Sequence, residues 1–307
     1  MKAVFIFSGQ GAQVVGMGKD LFEGNGAAKA IFEKADSVLD WKLSELCFNG
    51  PESKLMESCY CQPAIYTMSC ACLAAFKEKY PQVEAAGCAG LSLGEFAALQ
   101  AAGVFSFEEG LKLVVKRGRL MDEACKENTG AMASVLGGDV DVIKECCSAC
   151  GIDVANYNCP GQIVVSGTKE GVDKAMEMMK EKGLRKIIPL KVAGAYHSRL
   201  MKAAGERFRK VLGEVTLMAP QIPVAQNFPG ALVQSIDDIR ENLVSQVAGS
   251  VRWEDCVRTF YAQAASSFIE FGPGAVLTGL LKRTEKEASG FNVNSMESLN
   301  KFGENLT

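Results

Sequence analysis

Apolar residues fall in two textures along the chain, and each predicts a different element. Short unbroken runs at residues 3–7 and 85–89 read as parallel strands covered on both faces; the first ends in Ser8-Gly9-Gln10-Gly11, the second in Gly90. Between and after them, residues 26–39, 62–79 and 94–102 have helical composition. Pro63 opens the second near its first turn and Gly103 closes the third. The neighbourhood of residue 92 is therefore laid out as strand, sharp turn, helix.

From about Thr129 the pattern changes. Strands at 131–136, 152–157, 162–166 and 186–192 alternate with helices at 140–149 and 169–182, and the turn Pro160-Gly161 joins the middle pair. That βαββαβ order with a central antiparallel pair predicts a ferredoxin-like unit over 129–197. It is inserted in a larger α/β domain formed by 1–128 and 198–307, whose second part offers helices at 198–212, 236–247 and 253–263 and a strand at 267–271.

The 307 residues are 48% hydrophobic, enough for a large core, and this texture predicts a soluble globular protein. Lys plus Arg total 33 against 36 Asp plus Glu, so a net charge of -3 attracts neither nucleic acid nor an anionic membrane. No apolar stretch approaches the ~20 residues of a membrane span, and the apolar run after Met1-Lys2 is too short for a signal peptide. The expected location is the cytoplasm, or an organelle if a transit peptide was removed. In that setting the 12 cysteines are expected to pack as reduced thiols. Cys147 and Cys150 form the one Cys-x-x-Cys, beside Cys146, but no second pair at zinc spacing accompanies them, and neither metal nor resident cofactor is expected.

Candidate chemistry centres on Gly90-Leu91-Ser92-Leu93-Gly94, a G-x-S-x-G. A tight turn of this kind pushes a serine hydroxyl out of the sheet edge beside free helix N–H groups, as a nucleophile requires. The same serine followed by Glu95 is also S-x-x-E, the pattern of a capping box that would only start a helix. His197 is the one histidine, in a loop where the inserted unit returns to the large domain, and it is the available base near neutral pH. Arg117 sees Leu113, Val114, Leu120 and Met121 at helical spacing, so it lies in the apolar stripe and needs a carboxylate, from the protein or from a bound anion. Arg119 sees Asp122 and Glu123 and reads as a solvated ion pair. The first glycine-rich loop fits neither the dinucleotide nor the Walker pattern, since Val14 and Met17 stand at required Gly and Lys positions. It remains a candidate donor loop for an oxyanion.

With these residues in hand, the chain resembles the malonyl-CoA:acyl carrier protein transacylases of type II fatty acid synthesis. The likeness runs through FSGQGAQVVGMG (7–18), CQPAIYT (61–67), GLSLGEFAAL (90–99), KRGRLM (116–121), NYNCPGQIVVSG (156–167), GAYHSRLM (194–201), QVAGSVRW (246–253) and EFGPGAVLTGL (270–280). The resemblance implies an α/β-hydrolase-like large domain with a parallel sheet and an inserted ferredoxin-like subdomain. It makes Ser92 the nucleophile and His197 its base. Backbone N–H groups of Gln10 and Leu93 would form the oxyanion hole, the backbone carbonyl of Gln246 would orient His197, and Arg117 would hold the free carboxylate of a malonyl group. The substrate would be malonyl-CoA and the partner an acyl carrier protein.

The chain departs from the family pattern at Leu91, where many members have His; at Ser8, where Pro is usual; and at Tyr196, where malonyl-selective members usually have Phe. An acidic carrier calls for a basic rim, with Arg185, Lys186, Lys191, Lys282 and Arg283 as candidates. The alternatives are a hydrolase that releases malonate, a transferase for methylmalonyl, and a carrier-binding scaffold without catalysis.

Overall fold

The computed structural model describes residues 1–305. Eleven strands occur among them: β1 (Lys2–Phe7), β2 (Glu84–Gly90), β3 (Gly130–Leu136), β4 (Asp153–Cys159), β5 (Gln162–Thr168), β6 (Lys186–Pro189), β7 (Val224–Gln226), β8 (Ala231–Val233), β9 (Val251–Arg252), β10 (Ser267–Phe271) and β11 (Ser289–Val293). They form two sheets, ordered β11-β10-β1-β2-β7-β8 and β6-β3-β5-β4-β9. The large sheet is parallel, as expected, except at its edge, where β8 runs antiparallel to β7.

The continuous apolar character of β1 follows from its place in the middle of this sheet. Phe5 and Phe7 face a core that includes Phe76 and Phe271, while Val4 and Ile6 face a second core with Trp253, Phe260 and Leu281. Helices cover both faces, so neither side of the strand has a polar option. On the first face Phe76 meets Phe5 and Phe271 edge-on, with ring centroids 6.0 and 5.2 Å apart, the arrangement that aromatic quadrupoles favour.

The small sheet takes four strands from the segment of altered texture, with a core of its own that includes Val135, Ile143, Val165 and Met179. Its fifth strand, β9, comes from beyond that segment and pairs parallel with β4. The strand expected over 186–192 stops at Pro189, which cannot donate to a ladder, and residues 190–192 turn instead into the wall of a cavity. The helix expected at 198–212 begins as a single 3-10 turn, Arg199–Met201, before Lys202–Gly213. The helix expected at 62–79 begins earlier, at Ser58, which leaves Pro63 inside it instead of at its start.

Because Phe76 is fully buried among aromatic rings, Phe76→Ala is expected to lower stability by about 3–5 kcal/mol. Urea unfolding followed by circular dichroism measures this, and a loss below about 1 kcal/mol would contradict the packing described.

Candidate functional site

Three chain turns meet at the carboxyl ends of β1 and β2. At the end of β2 the backbone reverses through Leu91 and Ser92 into the helix Gly94–Ala101. Both flanking glycines are required by close approach: a Cβ on Gly90 would lie 2.0 Å from the Gly94 carbonyl carbon, and one on Gly94 would lie 2.1 Å from the Phe7 carbonyl oxygen. Ser92 itself has φ of 51°, left-handed for a residue with a Cβ, at a cost of about 1–2 kcal/mol. The capping-box reading is overturned here. The helix has Leu93 at its N-cap with no side-chain cap, and Glu95 reaches away from Ser92 to accept from the Asn227 N–H at 2.7 Å and from Gln226 Nε2 at 2.9 Å.

His197 comes from the loop after the small subdomain and also sits at positive φ, 56°. Its Nε2 is 2.8 Å from Ser92 Oγ and its Nδ1 is 2.8 Å from the Gln246 carbonyl oxygen. Arg117, on the inward face of the helix Phe107–Glu127, completes the cluster. Its Nη2 donates to Ser92 Oγ at 3.0 Å and to Gln246 Oε1 at 2.9 Å, and its Nη1 donates to Gln62 Oε1 at 2.8 Å.

These bonds fix every proton at the centre, because a guanidinium only donates and a carbonyl only accepts. Arg117 occupies an acceptor site of Ser92 Oγ, so the serine hydroxyl is free to donate to His197 Nε2. The Gln246 carbonyl requires N–H at Nδ1, which leaves Nε2 as the acceptor. The imidazole is therefore held in the tautomer that takes a proton from serine. Burial first, and the Arg117 charge second, push its pKa down to about 4, so it is neutral across the physiological range, with Nε2 open to accept a proton.

Arg117 carries the largest unmet demand. It is 1% exposed, its pKa is lowered to about 10 by burial and it stays charged, yet no described carboxylate makes a salt bridge with it. Its Nε has no hydrogen-bond partner among the described residues, and its other acceptors are neutral amides and a hydroxyl. Glu95, fully buried, is the balancing acid at longer range. Burial raises its pKa to about 7, while its N–H donors and the Arg117 charge draw it down.

A cavity of about 700 Å³ opens over Ser92 and His197, with Gln10 on its wall. Among the described residues, the backbone N–H groups of Gln10 and Leu93 have no protein acceptor, and each flanks the serine's turn. The Gln10 side chain reaches Ser58 Oγ at 3.3 Å, and Ser58 in turn lies 2.8 Å from the Tyr196 hydroxyl. Leu91 is packed on the first loop, since a Cβ on Gly9 would lie 2.6 Å from its carbonyl oxygen. Ser8 turns inward and donates to the Pro273 carbonyl at 3.1 Å, a tether that proline could not make.

Of the basic residues that the sequence offered for a rim, one lines the cavity. Lys191 lines the cavity, together with Arg119 and Lys126. Arg119 makes no salt bridge among the described residues, against the expected pairing with Asp122 and Glu123: Asp122 accepts from the backbone N–H groups of Ser58 and Cys59, and Glu123 pairs with Arg207 at 2.6 Å. Arg185 and Lys186 line a separate recess on the small subdomain, Arg283 donates to Gln162 Oε1 at 2.6 Å, and Lys282 is exposed outside the lining. The side chains of Gln62, Asn227 and Gln246 were not anticipated. Each is a buried amide whose importance comes from which atom it faces.

A model of the acyl transferase domain matches residues 4–305. The chain belongs to the acyl transferase domain family. A malonyl CoA-acyl carrier protein transacylase of Bacillus subtilis (strain 168) is 41% identical over 303 residues, 97% of this chain and 95% of that protein. The crystal structure of a malonyl CoA-acyl carrier protein transacylase from Clostridium perfringens superposes with a TM-score of 0.95 at 37% identity, over 100% of this chain and 97% of that one. A complex of a type II polyketide acyl-carrier protein with its malonyl-transacylase gives 0.95 at 36% identity, over 99% and 100% of the two chains. This acyl transferase has no helix among its described residues long and apolar enough to cross a membrane.

The lowered His197 pKa sets two pH dependences. Between about 6.5 and 4 the unfolded chain protonates this histidine and the folded one does not, so its contribution to stability is complete above pH 6.5 and is lost as pH falls toward 4. Malonyl loading is expected to keep its rate down to about pH 5. Single-turnover loading from pH 8 to 4.5 measures it, and an acid limb with a midpoint near 6.5 would refute the assignment.

Proposed function

We propose that the chain transfers malonyl from malonyl-CoA to the phosphopantetheine thiol of an acyl carrier protein through a malonyl ester on Ser92, supplying extender units for fatty acid synthesis. The observation that carries this reading is Arg117, a buried charge with one N–H unpartnered and no contacting acid, 3.0 Å from the hydroxyl that would receive the acyl group. A dicarboxylic acyl group brings the missing carboxylate to it, whereas an acetyl group leaves the charge as it is. The names of the relatives support the same substrate and partner.

In the first half-reaction Ser92 Oγ attacks the thioester carbonyl carbon while His197 Nε2 takes the hydroxyl proton. The Gln10 and Leu93 N–H groups hold the oxyanion of the tetrahedral intermediate. Collapse breaks the C–S bond, and the departing CoA sulfur takes the proton back from His197. In the second half the carrier thiol gives its proton to His197 Nε2 and attacks the ester; the C–O bond breaks and Ser92 recovers its proton. The Gln246 carbonyl stabilises the imidazolium formed in each half, in the place of a triad acid. The steps balance without a metal or resident cofactor. Arg119, Lys126 and Lys191 line the cavity beside Glu57, Asp122 and Glu123, and these three cations offer contacts to an acidic carrier or to the CoA phosphates. We place the reaction in the cytoplasm, where the lack of a spanning helix among the described residues and the bacterial relatives are in keeping with it.

Intact-mass measurement after mixing with malonyl-CoA is expected to show a malonyl adduct that disappears in Ser92→Ala and is removed by a carrier thiol. Loss of the adduct to water alone would indicate a hydrolase, and no adduct would indicate a scaffold. Arg117→Ala is expected to lower malonyl loading at least about 30-fold, since truncating one partner of a buried charge pair costs about 2–5 kcal/mol. The preference for malonyl over acetyl should fall with it, and an unchanged preference would remove Arg117 from the role.

A further inference from the structure

The strained turn at Ser92 is held from outside its own helix. Its N–H donates to Asn227 Oδ1 at 2.5 Å, and Asn227 Nδ2 donates back to the Gly90 carbonyl at 2.8 Å, so one carboxamide bridges both sides of the turn. Asn227 lies just past β7 and is fully buried. It is fixed in turn by Glu95, which accepts from its backbone N–H. Gln226 ties to the other Glu95 oxygen, and Asn242 donates to Gln226 Oε1 at 3.0 Å. On the opposite side Gln246 Nε2 donates to the Ser92 carbonyl at 3.0 Å.

We propose that Asn227, locked by Glu95, is a positioning residue for acyl transfer: it holds Ser92 in the left-handed conformation and so aims the Leu93 N–H at the oxyanion. The inference rests on Ser92 being the acylated residue. Its logic is one of allocation. An ordinary helix start would leave the serine N–H free and spend the side chain on capping. Here the clamp consumes the serine N–H, frees the side chain for His197, and leaves the next N–H in the chain as the open donor. Asn does this because it offers an acceptor and a donor on one planar group, matched to the N–H of residue 92 and the carbonyl of residue 90. Glu95 is then retained for its reach to Asn227, which explains an S-x-x-E spacing that does not form a capping box.

The test compares Asn227→Ala, Glu95→Ala, the double variant and Glu95→Gln with the wild type, by burst formation of the malonyl adduct and by kcat and KM with malonyl-CoA. Each single alanine variant is expected to lose kcat by 10²-fold or more, the size of a lost oxyanion donor, with KM within threefold. The double variant should be no worse than the poorer single one, because both remove the same clamp. Glu95→Gln should recover at least tenfold over Glu95→Ala, since its carbonyl oxygen can still accept from the Asn227 N–H. Should the alanine variants fail to fold, Asn227→Asp carries the test: relative to wild type it should gain activity from pH 8 to 5.5, as a protonated carboxyl regains a donor for the Gly90 carbonyl. Multiplicative losses in the double variant, a loss confined to KM, or an Asp variant whose activity stays parallel to wild type across that range would overturn the proposal. If wild type itself forms no adduct, the acyl-transfer reading fails instead.

Discussion

The chemistry of this cleft depends on one electrostatic constraint: a guanidinium with only donors has been buried beside a hydroxyl and a carbonyl. Arg117 points its Nη2 at Ser92 Oγ, and the Gln246 carbonyl faces the far nitrogen of His197. Given those two groups, the serine proton and the imidazole tautomer have a single arrangement that satisfies every partner. Moving either group would leave a polar atom buried and unsatisfied, which costs about 1–3 kcal/mol and more for a charge. His197 Nε2 is thus left as the acceptor of the serine proton.

Gln246 shows how tightly the parts are shared. Its carbonyl orients His197, its side-chain oxygen accepts from Arg117, and its side-chain nitrogen donates to the Ser92 carbonyl. One residue of the helix Ile236–Ala248 therefore touches His197, Arg117 and the Ser92 turn. A conventional triad would use an acid at this place. Beside a permanently charged arginine, a neutral carbonyl adds no anion to occupy it, which suits the carboxylate-holding role proposed for Arg117.

Much of the frame was readable in the chain because it rests on periodicity. β10 falls at 267–271 as expected, the unbroken run of β1 marked a strand with two covered faces, and helical spacing singled out Arg117 from Arg119. What escaped has no period. β7 and β8 are three residues each, too short to alternate. Asn227 and Gln62 matter through a single facing atom, supplied by a segment remote in sequence. The Ser92–Glu95 spacing misled for a related reason. Local pattern sees only the helix to which both belong, whereas Asn227 arrives from another strand and outbids the local bond.

The short strand β9 ties the small sheet to the site. Val251 and Arg252 are ladder partners of Asn156 and Tyr157, and they follow closely on the Gln246 carbonyl that steadies His197. The Asn227 carbonyl also accepts from the Arg252 N–H at 3.0 Å. Through β9 the small sheet is thus joined by a few residues of chain to the carbonyl that faces His197, and by one hydrogen bond to the residue that bridges the Ser92 turn.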